Sequence, residues 1–280
     1  MNIVKTVTEL RSWTAEQRAK GNRISFVPTM GYLHEGHMSL VDLAKQHADV
    51  VVMSIFVNPL QFGPNEDLER YPRDLERDQV MAEKRGVDLL FVPDVKEMYP
   101  QETKTVIQVK GVTDRLCGAS RPGHFDGVAT VVCKLFNMVQ PDSAFFGQKD
   151  AQQVAVIQQM VQDLNIPVQV IPCPIVREKD GLAMSSRNVY LKEEERIQAL
   201  SLSQSLQEAR DAYSKGKTPA EIRELIIARI SSQPLADIDY VEVLAYPSLE
   251  PIEEFGDTSF LIALAVRFGK TRLIDNLMMT

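Results

Sequence analysis

The sequence predicts an α/β protein, in which a parallel sheet covered by helices is followed by a smaller α+β region. In the first half, short apolar runs rich in β-branched residues alternate with stretches of helical periodicity, which is typical of a parallel sheet buried on both faces. After about Val176 the pattern changes to charged helical stretches followed by strand-like runs, which is typical of an α+β unit. Because 280 residues are enough for two domains, we place them at residues 1–175 and 176–280.

The elements of the first domain alternate between strand and helix. The run 49–57, DVVVMSIFV, is a buried strand, and 74–85 is a helix with a polar face. A short strand over 105–109 is expected to lie apart from the main sheet. The strands of the main sheet are predicted over 23–29, 49–57, 88–92, 143–146 and 168–171, and the helices over 38–47, 74–85, 127–139 and 151–164.

The elements of the second domain begin with a long charged helix, predicted over 191–215. Its first turn contains Glu193, Glu194 and Glu195, where acidic side chains suit the helix dipole. The dipeptide Thr218-Pro219 is a helix start signal and predicts a second helix over 218–232. Two strands are predicted over 238–244 and 260–268.

Composition and charge exclude several classes of protein. The net charge is −7, from 31 basic and 38 acidic residues, so we expect no nucleic-acid partner, because phosphate backbones need a basic surface. The longest apolar runs, such as 260–266, are far shorter than the roughly 20 residues that a spanning helix needs, so we expect no membrane association. With three cysteines, no CxxC spacing and no apolar signal segment in the first ten residues, we expect a reduced, cytoplasmic protein without a cysteine-based zinc site.

The loop after the first strand, PTMGYLHEGH at 28–37, opens a helix. A helix N-terminus offers free N–H groups and attracts anions. The glycines Gly31 and Gly36 have the spacing of a P-loop, but His37 and Met38 stand where that motif needs Lys and Ser or Thr. The imidazoles of His34 and His37 can donate hydrogen bonds to phosphate oxygens. We therefore expect a phosphate site, with a histidine metal pair and ordinary surface histidines as the alternatives.

Amide side chains follow the second buried strand. Asn58 and Gln61 are suited to recognising hydroxyl and carboxylate groups. A plain turn around Asn58-Pro59 is the alternative.

Two later loops carry groups suited to a nucleotide. Lys149 follows the strand 143–146 and can pair with a phosphate, while Asp150 can accept from a ribose or simply cap a helix. The loop 184–188, MSSRN, can clamp a polyphosphate through its serines and Arg187, or form a turn without a ligand.

These segments together resemble a known family. The HEGH tetrapeptide resembles the HxGH signature of the nucleotidyltransferase superfamily, in which the two histidines contact ATP phosphates. The stretches VPTMGYLHEGH, SIFVNPLQF, RYPR, SRPGHF, FFGQKDAQQ, DGLAMSSRN and RLIDN resemble the pantothenate synthetase (pantoate–β-alanine ligase) family along nearly the whole chain. Members often carry Glu where Gln148 stands and Asp where Glu35 stands. The resemblance implies a Rossmann-like N-terminal domain, a C-terminal lid domain, Mg²⁺ with ATP, and a homodimer in the cytoplasm.

The resemblance also implies roles for particular residues. The residues expected to offset charge on the phosphates, and so to be catalytic, are His34, His37, Lys149 and Arg187. Pantoate is expected to bind Gln61 and Gln153, with Asn58 and Tyr71 beside them, and Arg121 is an expected anion contact. The residues expected to bind ATP are Met30, Gly31, Tyr32, Leu33, His34, Glu35, Gly36, His37, Gly147, Gln148, Lys149, Asp150, Val176, Met184, Ser185, Ser186 and Arg187.

The implied reaction joins (R)-pantoate to β-alanine with ATP, through a pantoyl adenylate, and releases pyrophosphate and AMP. Three alternatives remain: a nucleotidyltransferase of the same superfamily that retains the nucleotide in its product, a nucleotide sensor without turnover, and a zinc protein. The amides at Asn58, Gln61 and Gln153 argue against the first. The intact set of phosphate-charge donors argues against the second.

Overall fold

Two units make up the chain in the computed structural model, which describes residues 1–64 and 66–279. Each unit has a sheet of its own. The first unit comprises Met1–Val109, Arg121–Gln148 and Val156–Pro174, and the second comprises Lys110–Ser120, Lys149–Ala155 and Ile175–Thr280.

A six-stranded parallel sheet forms the centre of the first unit, as the alternating apolar runs predicted. Its strands are β1 (Asn2–Val4), β2 (Ile24–Thr29), β3 (Val50–Ile55), β4 (Leu89–Phe91), β5 (Ser143–Gly147) and β6 (Gln169–Cys173). They lie in the order β1-β4-β3-β2-β5-β6 and pair in parallel throughout. The first four residues of β2 are all buried, because helices cover both faces of the sheet.

The helices that precede residue 174 connect these strands. They are α1 (Val7–Ala19), α2 (Glu35–His47), α3 (Leu75–Arg85), α4 (Val95–Met98), α5 (Leu116–Ser120), α6 (His124–Val139) and α7 (Ala151–Asp163). Within the first unit, α2 packs against β2 and β5, and α6 packs against β2 and α1. Phe26 of β2 and Phe136 of α6 meet edge to face at 6.5 Å, and Phe136 meets Phe146 of β5 at 6.3 Å. Burying each such ring contributes about 1.5–3 kcal/mol and fixes α6 on the sheet.

The strand order reverses between β2 and β5. After β2 the chain builds β3 and β4 on one side, and it then crosses to build β5 and β6 on the other. Ligands of open parallel sheets bind beyond the carboxyl ends of the strands at such a reversal. The residues that follow Thr29 and Gly147 therefore occupy the expected ligand position of this sheet.

A three-stranded antiparallel sheet and the helices that follow residue 190 form the larger part of the second unit. Its strands, β7 (Ala236–Ala245), β8 (Phe260–Phe268) and β9 (Thr271–Met279), lie in sequence order. The helices are α8 (Glu193–Ala199), α9 (Ser201–Ser214) and α10 (Pro219–Ser231). Fully buried Ile222, Ile226 and Ile230 of α10 pack with Ile262 and Leu264 of β8 in one hydrophobic cluster, so this unit has its own core.

Several elements differ from the sequence predictions. The helix predicted over 191–215 is two helices, because the Leu200 N–H bonds three residues back to the Ile197 carbonyl and interrupts the α-helical pattern. Helix α6 begins at His124, three residues before the prediction, after Gly123 at a φ of +79°. The prediction of a strand over 105–109 was wrong, since none of the ladders among the described residues includes this segment.

Five further elements were not predicted: strands β1 and β9, helix α1 and the short helices α4 and α5. Strand β1 is only three residues long, and β9 lies next to β8 as a hairpin. Helix α1 has few buried apolar residues, so its periodicity is weak. Its start signal was nevertheless present in Thr6 and Glu9, which exchange the hydrogen bonds of a capping box.

Candidate active site

The loop between β2 and α2 carries the two predicted histidines. His34 is the residue just before α2, and the first turn of that helix contains His37. The His34 backbone N–H donates to His37 Nδ1 at 3.3 Å, and the two rings lie 4.0 Å apart. Because Nδ1 of His37 accepts, a neutral ring carries its proton on Nε2. The loop therefore fixes His37 in the form that donates through Nε2.

Asp78 of α3 anchors the backbone of the same loop. Its carboxylate accepts from the N–H groups of Tyr32 and Leu33, each at 2.7 Å. Burial raises the pKa of Asp78 above its usual value, although the two backbone N–H groups act to lower it. Asp78 was not predicted from the sequence, because its partners lie 45 and 46 residues away along the chain.

Gly31 allows the loop to approach that anchor. Its φ is +82°, and a Cβ there would lie 2.8 Å from Ile55 Cγ2 and 3.1 Å from Asp78 Oδ2. Its N–H donates to Thr29 Oγ1 at 3.1 Å. Only glycine combines this conformation with this space.

Glu35, predicted to bind ATP, lies at the exposed start of α2. Its carboxylate accepts a hydrogen bond from Arg85 of α3. The residue therefore ties α2 to α3 in the structure described.

The predicted amides lie together after β3. Asn58 and Gln61 are both buried; Asn58 precedes the short 3₁₀ turn Pro59–Gln61, and Gln61 ends it. Asn58 Nδ2 donates to Gln61 Oε1 at 3.1 Å, and Gln61 Nε2 lies 3.3 Å from Met30 Sδ. The structure thus brings the acid-binding candidates next to Met30, at the end of β2. Tyr71 is also buried, and its ring meets that of Phe62 at 6.0 Å.

Arg121, predicted as an anion contact, pairs with a carboxylate of the protein. Its guanidinium donates to both Glu66 oxygens at 2.6 Å and to His124 Nε2 at 3.0 Å. His124 Nδ1 in turn lies 2.8 Å from the Gln61 carbonyl oxygen. Since a carbonyl only accepts, Nδ1 is the donor. Arg121 and His124 thus hold the Gln61 backbone across 60 and 63 residues of sequence, a contact that was not predicted.

The second unit carries the remaining phosphate candidates. The Lys149 carbonyl accepts from Asn276 Nδ2 at 2.9 Å. The Met184 N–H donates to the Val176 carbonyl at 3.0 Å, so these two ATP candidates are paired. Ser185 Oγ accepts from the Arg187 N–H at 3.3 Å, and this bond shapes the turn Ser186–Tyr190.

Two amide side chains next to predicted site residues in sequence, Asn188 and Gln152, hold their backbone segments by hydrogen bonds. Asn188 Nδ2 donates to Glu178 Oε1 at 2.7 Å and so fixes the end of the SSRN loop. Gln152, the neighbour of Gln153 in α7, donates to the carbonyls of Val112 and Arg115 at 2.9 and 2.8 Å. Asp150 is exposed at the end of the turn Gln148–Asp150.

Neither a metal cluster nor a membrane helix is found in the part of the chain that the structure describes. No group of three or more His, Cys, Asp or Glu side chains there is placed to hold a metal ion. No helix there is long and apolar enough to span a bilayer.

Comparisons with known proteins agree over the whole length. The sequence profile of the pantoate–beta-alanine ligase family matches residues 2–278. The pantothenate synthetase of Acetivibrio thermocellus is 59% identical, over 99% of this chain and 98% of its own.

Solved structures give the same result. The crystal structure of pantothenate synthetase from Thermus thermophilus is 47% identical, covers 99% of both chains and superimposes with a TM-score of 0.93. The Francisella tularensis pantoate–beta-alanine ligase, complexed with beta-gamma ATP and beta-alanine, is 35% identical over 99% of this chain and 97% of its own, with a TM-score of 0.81. The chain described here therefore belongs to the pantoate–beta-alanine ligase family.

Proposed function

We propose that this ligase activates the carboxylate of (R)-pantoate with ATP and then transfers the pantoyl group to β-alanine. A carboxylate does not react with an amine at neutral pH, because oxide is a poor leaving group. Attack of the carboxylate on the α-phosphorus expels pyrophosphate and forms pantoyl adenylate. Attack of the β-alanine amine on that acyl carbon then expels AMP and forms the amide. The observation that carries the proposal is the His34–His37 loop at the strand reversal of the first sheet.

Charge on the phosphates is offset by four side chains in this proposal. They are His34, His37, Lys149 and Arg187. His37 donates through Nε2, because its Nδ1 accepts from the protein. Removing one preorganised donor of this kind costs on the order of 10²–10³ in rate.

The other site residues take the roles that the family motifs give them. Pantoate binds Gln61 and Gln153, with Asn58 and Tyr71 beside them. The further proposed ATP contacts are Met30, Gly31, Tyr32, Leu33, Glu35, Gly36, Gly147, Gln148, Asp150, Val176, Met184, Ser185 and Ser186.

We also propose that ATP acts as its Mg²⁺ complex. The ion supplies charge neutralisation on the phosphate oxygens when it is bound. Because no described group of three or more His, Cys, Asp or Glu could hold a metal, most of its ligands would come from the nucleotide and water. Removal of the ion with EDTA should abolish turnover, and added Mg²⁺ should restore it.

We further propose a cytoplasmic homodimer in which 176–280 is a lid domain. A lid excludes water from an adenylate that would otherwise hydrolyse. The strand-like sequence at 105–109, which no ladder of the described residues includes, supports pairing with a second copy.

Pyrophosphate exchange into ATP tests the first step. With Mg²⁺ and (R)-pantoate but without β-alanine, we expect pantoate-dependent exchange. Addition of β-alanine should then produce AMP and pantothenate. If both substrates bind and neither exchange nor AMP is found, the proposed reaction is wrong.

Replacement of His37 tests the phosphate loop. His37→Ala should fold, as judged by circular dichroism. Its pyrophosphate exchange should be slower than that of wild type by a factor of about 10²–10³, because a hydrogen-bond donor to the phosphates is gone. His47→Ala removes the same side chain from the other end of α2 and should stay within about twofold of wild type. Near-normal exchange by a folded His37→Ala variant would exclude the proposed role.

A further inference from the structure

The amide of Asn58 is held at both ends by the protein. Its side chain is buried, with 1% of the residue exposed. Nδ2 donates to the carbonyl of Gly127 and to Oε1 of Gln61, each at 3.1 Å. Oδ1 accepts from the Leu60 N–H at 3.3 Å and from the Tyr99 hydroxyl at 2.8 Å. These four contacts use the two hydrogens and two lone pairs of the amide.

The orientation of this amide is fixed by backbone groups. The Gly127 carbonyl can only accept and the Leu60 N–H can only donate. The nitrogen of Asn58 must therefore face Gly127, and its oxygen must face Leu60. An exchange of the two ends would create repulsion at both.

A fixed Asn58 fixes Gln61 in turn. Because Asn58 Nδ2 donates, the Gln61 atom that faces it must be Oε1. Gln61 therefore directs Nε2 away from Asn58, toward Met30 Sδ at 3.3 Å. A thioether is a weak acceptor, so a hydroxyl or carboxylate oxygen of a ligand would replace it favourably.

Tyr99 completes the chain of contacts. Asn58 Oδ1 only accepts, so the Tyr99 hydroxyl is the donor. Burial raises the pKa of Tyr99 to about 12, which keeps that proton in place over the physiological range. The ring itself is held by Phe56 at 6.1 Å and by Lys134 Nζ at 5.4 Å from its centroid, so the hydroxyl is not needed to place the ring.

We propose that Tyr99 is a positioning residue for the acid substrate: its hydroxyl holds Asn58, and Asn58 directs the Gln61 N–H₂ group toward pantoate. Asn58 then acts through Gln61 and does not contact the acid itself, since its amide is fully used by the protein. The inference rests on the proposed function, in which Gln61 binds pantoate.

Removal of the hydroxyl tests the inference. In Tyr99→Phe we expect the KM for pantoate in the exchange assay to rise about three- to tenfold, the size that one neutral hydrogen bond supports. The KM for ATP should stay within about twofold, because the ATP loop is unchanged. Tyr213→Phe is the matched control, since its ring packs between Phe255 and Phe260 in the second unit and should leave both KM values unchanged.

A double-mutant cycle separates positioning from general loss of stability. If Tyr99 acts through Asn58 and Gln61, then Tyr99→Phe should not raise the pantoate KM further in an Asn58→Ala background. Gln61→Ala provides a second background with the same expectation, should Asn58→Ala fail to fold.

The outcomes distinguish this inference from the proposed function. An unchanged pantoate KM in Tyr99→Phe, or a full additive effect in the Gln61→Ala background, would overturn the positioning role while leaving the reaction intact. Absence of pantoate-dependent exchange in the wild type, or an unchanged pantoate KM in Gln61→Ala, would overturn the proposed function or its acid site instead.

Discussion

The phosphate loop has no space for a side chain at Gly31. Gly31→Ala would place a methyl group 2.8 Å from Ile55 Cγ2 at a φ of +82°, so the loop must move or strain. We expect a loss of about 1–3 kcal/mol in the free energy of unfolding and at least a tenfold lower kcat/KM for ATP. Denaturant unfolding and ATP-dependent exchange measure the two effects.

The matched control for that substitution is Gly21→Ala. Gly21 has a φ of +79° with nothing within 4 Å of an added Cβ, so it shares the backbone strain and lacks the overlap. It should lose some stability and keep its activity. Equal activity in the two variants would show that the loop tolerates the methyl group.

The ion pair of Glu66 with Arg121 makes the stability of the protein depend on pH. Burial acts to raise the pKa of Glu66, but the hydrogen bond and charge of Arg121, together with the Gly63 backbone and the charge of His124, hold the pKa below the ordinary 4.5. A lowered folded-state pKa contributes stability that is complete above the unfolded value and is lost as the pH falls through the folded value. We therefore expect the free energy of unfolding of wild type to fall below about pH 5 more steeply than that of Glu66→Gln. Parallel curves in urea titrations across that range would contradict the assignment.

At the residue scale, the sequence predicted side chains whose chemistry is local. His34 and His37 stand at a strand-to-helix junction, and Asn58 and Gln61 stand after a strand, so neighbouring residues indicated them. Asp78 contacts the loop at Tyr32 across 46 positions, and Tyr99 contacts Asn58 across 41. Nothing in a local pattern reveals a partner at such a separation.

At the scale of elements, helix α6 and the turn Pro59–Gln61 meet at Gly127. A Cβ on Gly127 would lie 2.3 Å from the Leu60 carbonyl oxygen and 2.7 Å from Gln61 Cα. Gly127→Ala improves helix propensity by about 1 kcal/mol, but the turn must then move away from the helix. We expect a net loss of about 1–3 kcal/mol in the free energy of unfolding and at least a tenfold higher KM for pantoate.

A nearby glycine provides the comparison. A Cβ on Gly63 would make only ordinary contact, with Glu66 Cγ at 3.7 Å, so Gly63→Ala should leave the pantoate KM unchanged. If Gly127→Ala also binds pantoate normally, then the packing of α6 does not position Gln61.

Strand prediction succeeded where a continuous apolar run marked a buried strand. Strand β8 has the predicted bounds, 260–268, and β3 lies within the predicted run. The break at Leu200 was missed because a single three-residue hydrogen bond leaves no mark in composition. The order of the strands was also beyond local pattern, since β2 pairs with both β3 and β5 and only the complete sheet decides which neighbours meet.

At the scale of the whole molecule, the segment around Val106 raises the question of a second copy. Residues 105–109, TVIQV, have strand composition, yet no ladder of the described residues includes them. Val106 is 58% exposed. Val109 is buried and the Ile107 N–H donates to Thr130 Oγ1 at 3.0 Å, so one side of the segment contacts its own chain. The other side is exposed and favours pairing with another chain, and a second copy offers the same edge by symmetry.

A charge on that edge should therefore weaken the proposed homodimer. In Val106→Lys the ammonium group would either be buried between the 105–109 segments of the two copies or hold those segments apart. We therefore expect the dimer Kd, measured by sedimentation equilibrium, to rise about tenfold or more. Val80→Lys is the control, because Val80 of α3 is 49% exposed and lies outside the segment. A dimer that is unaffected by Val106→Lys would place the contact between copies elsewhere, and a wild-type monomer at all concentrations would exclude the homodimer.

Because Tyr99 and the segment both follow α4 along the chain, a dissociated variant that also loses pantoate affinity would indicate that pairing of the copies supports the acid site.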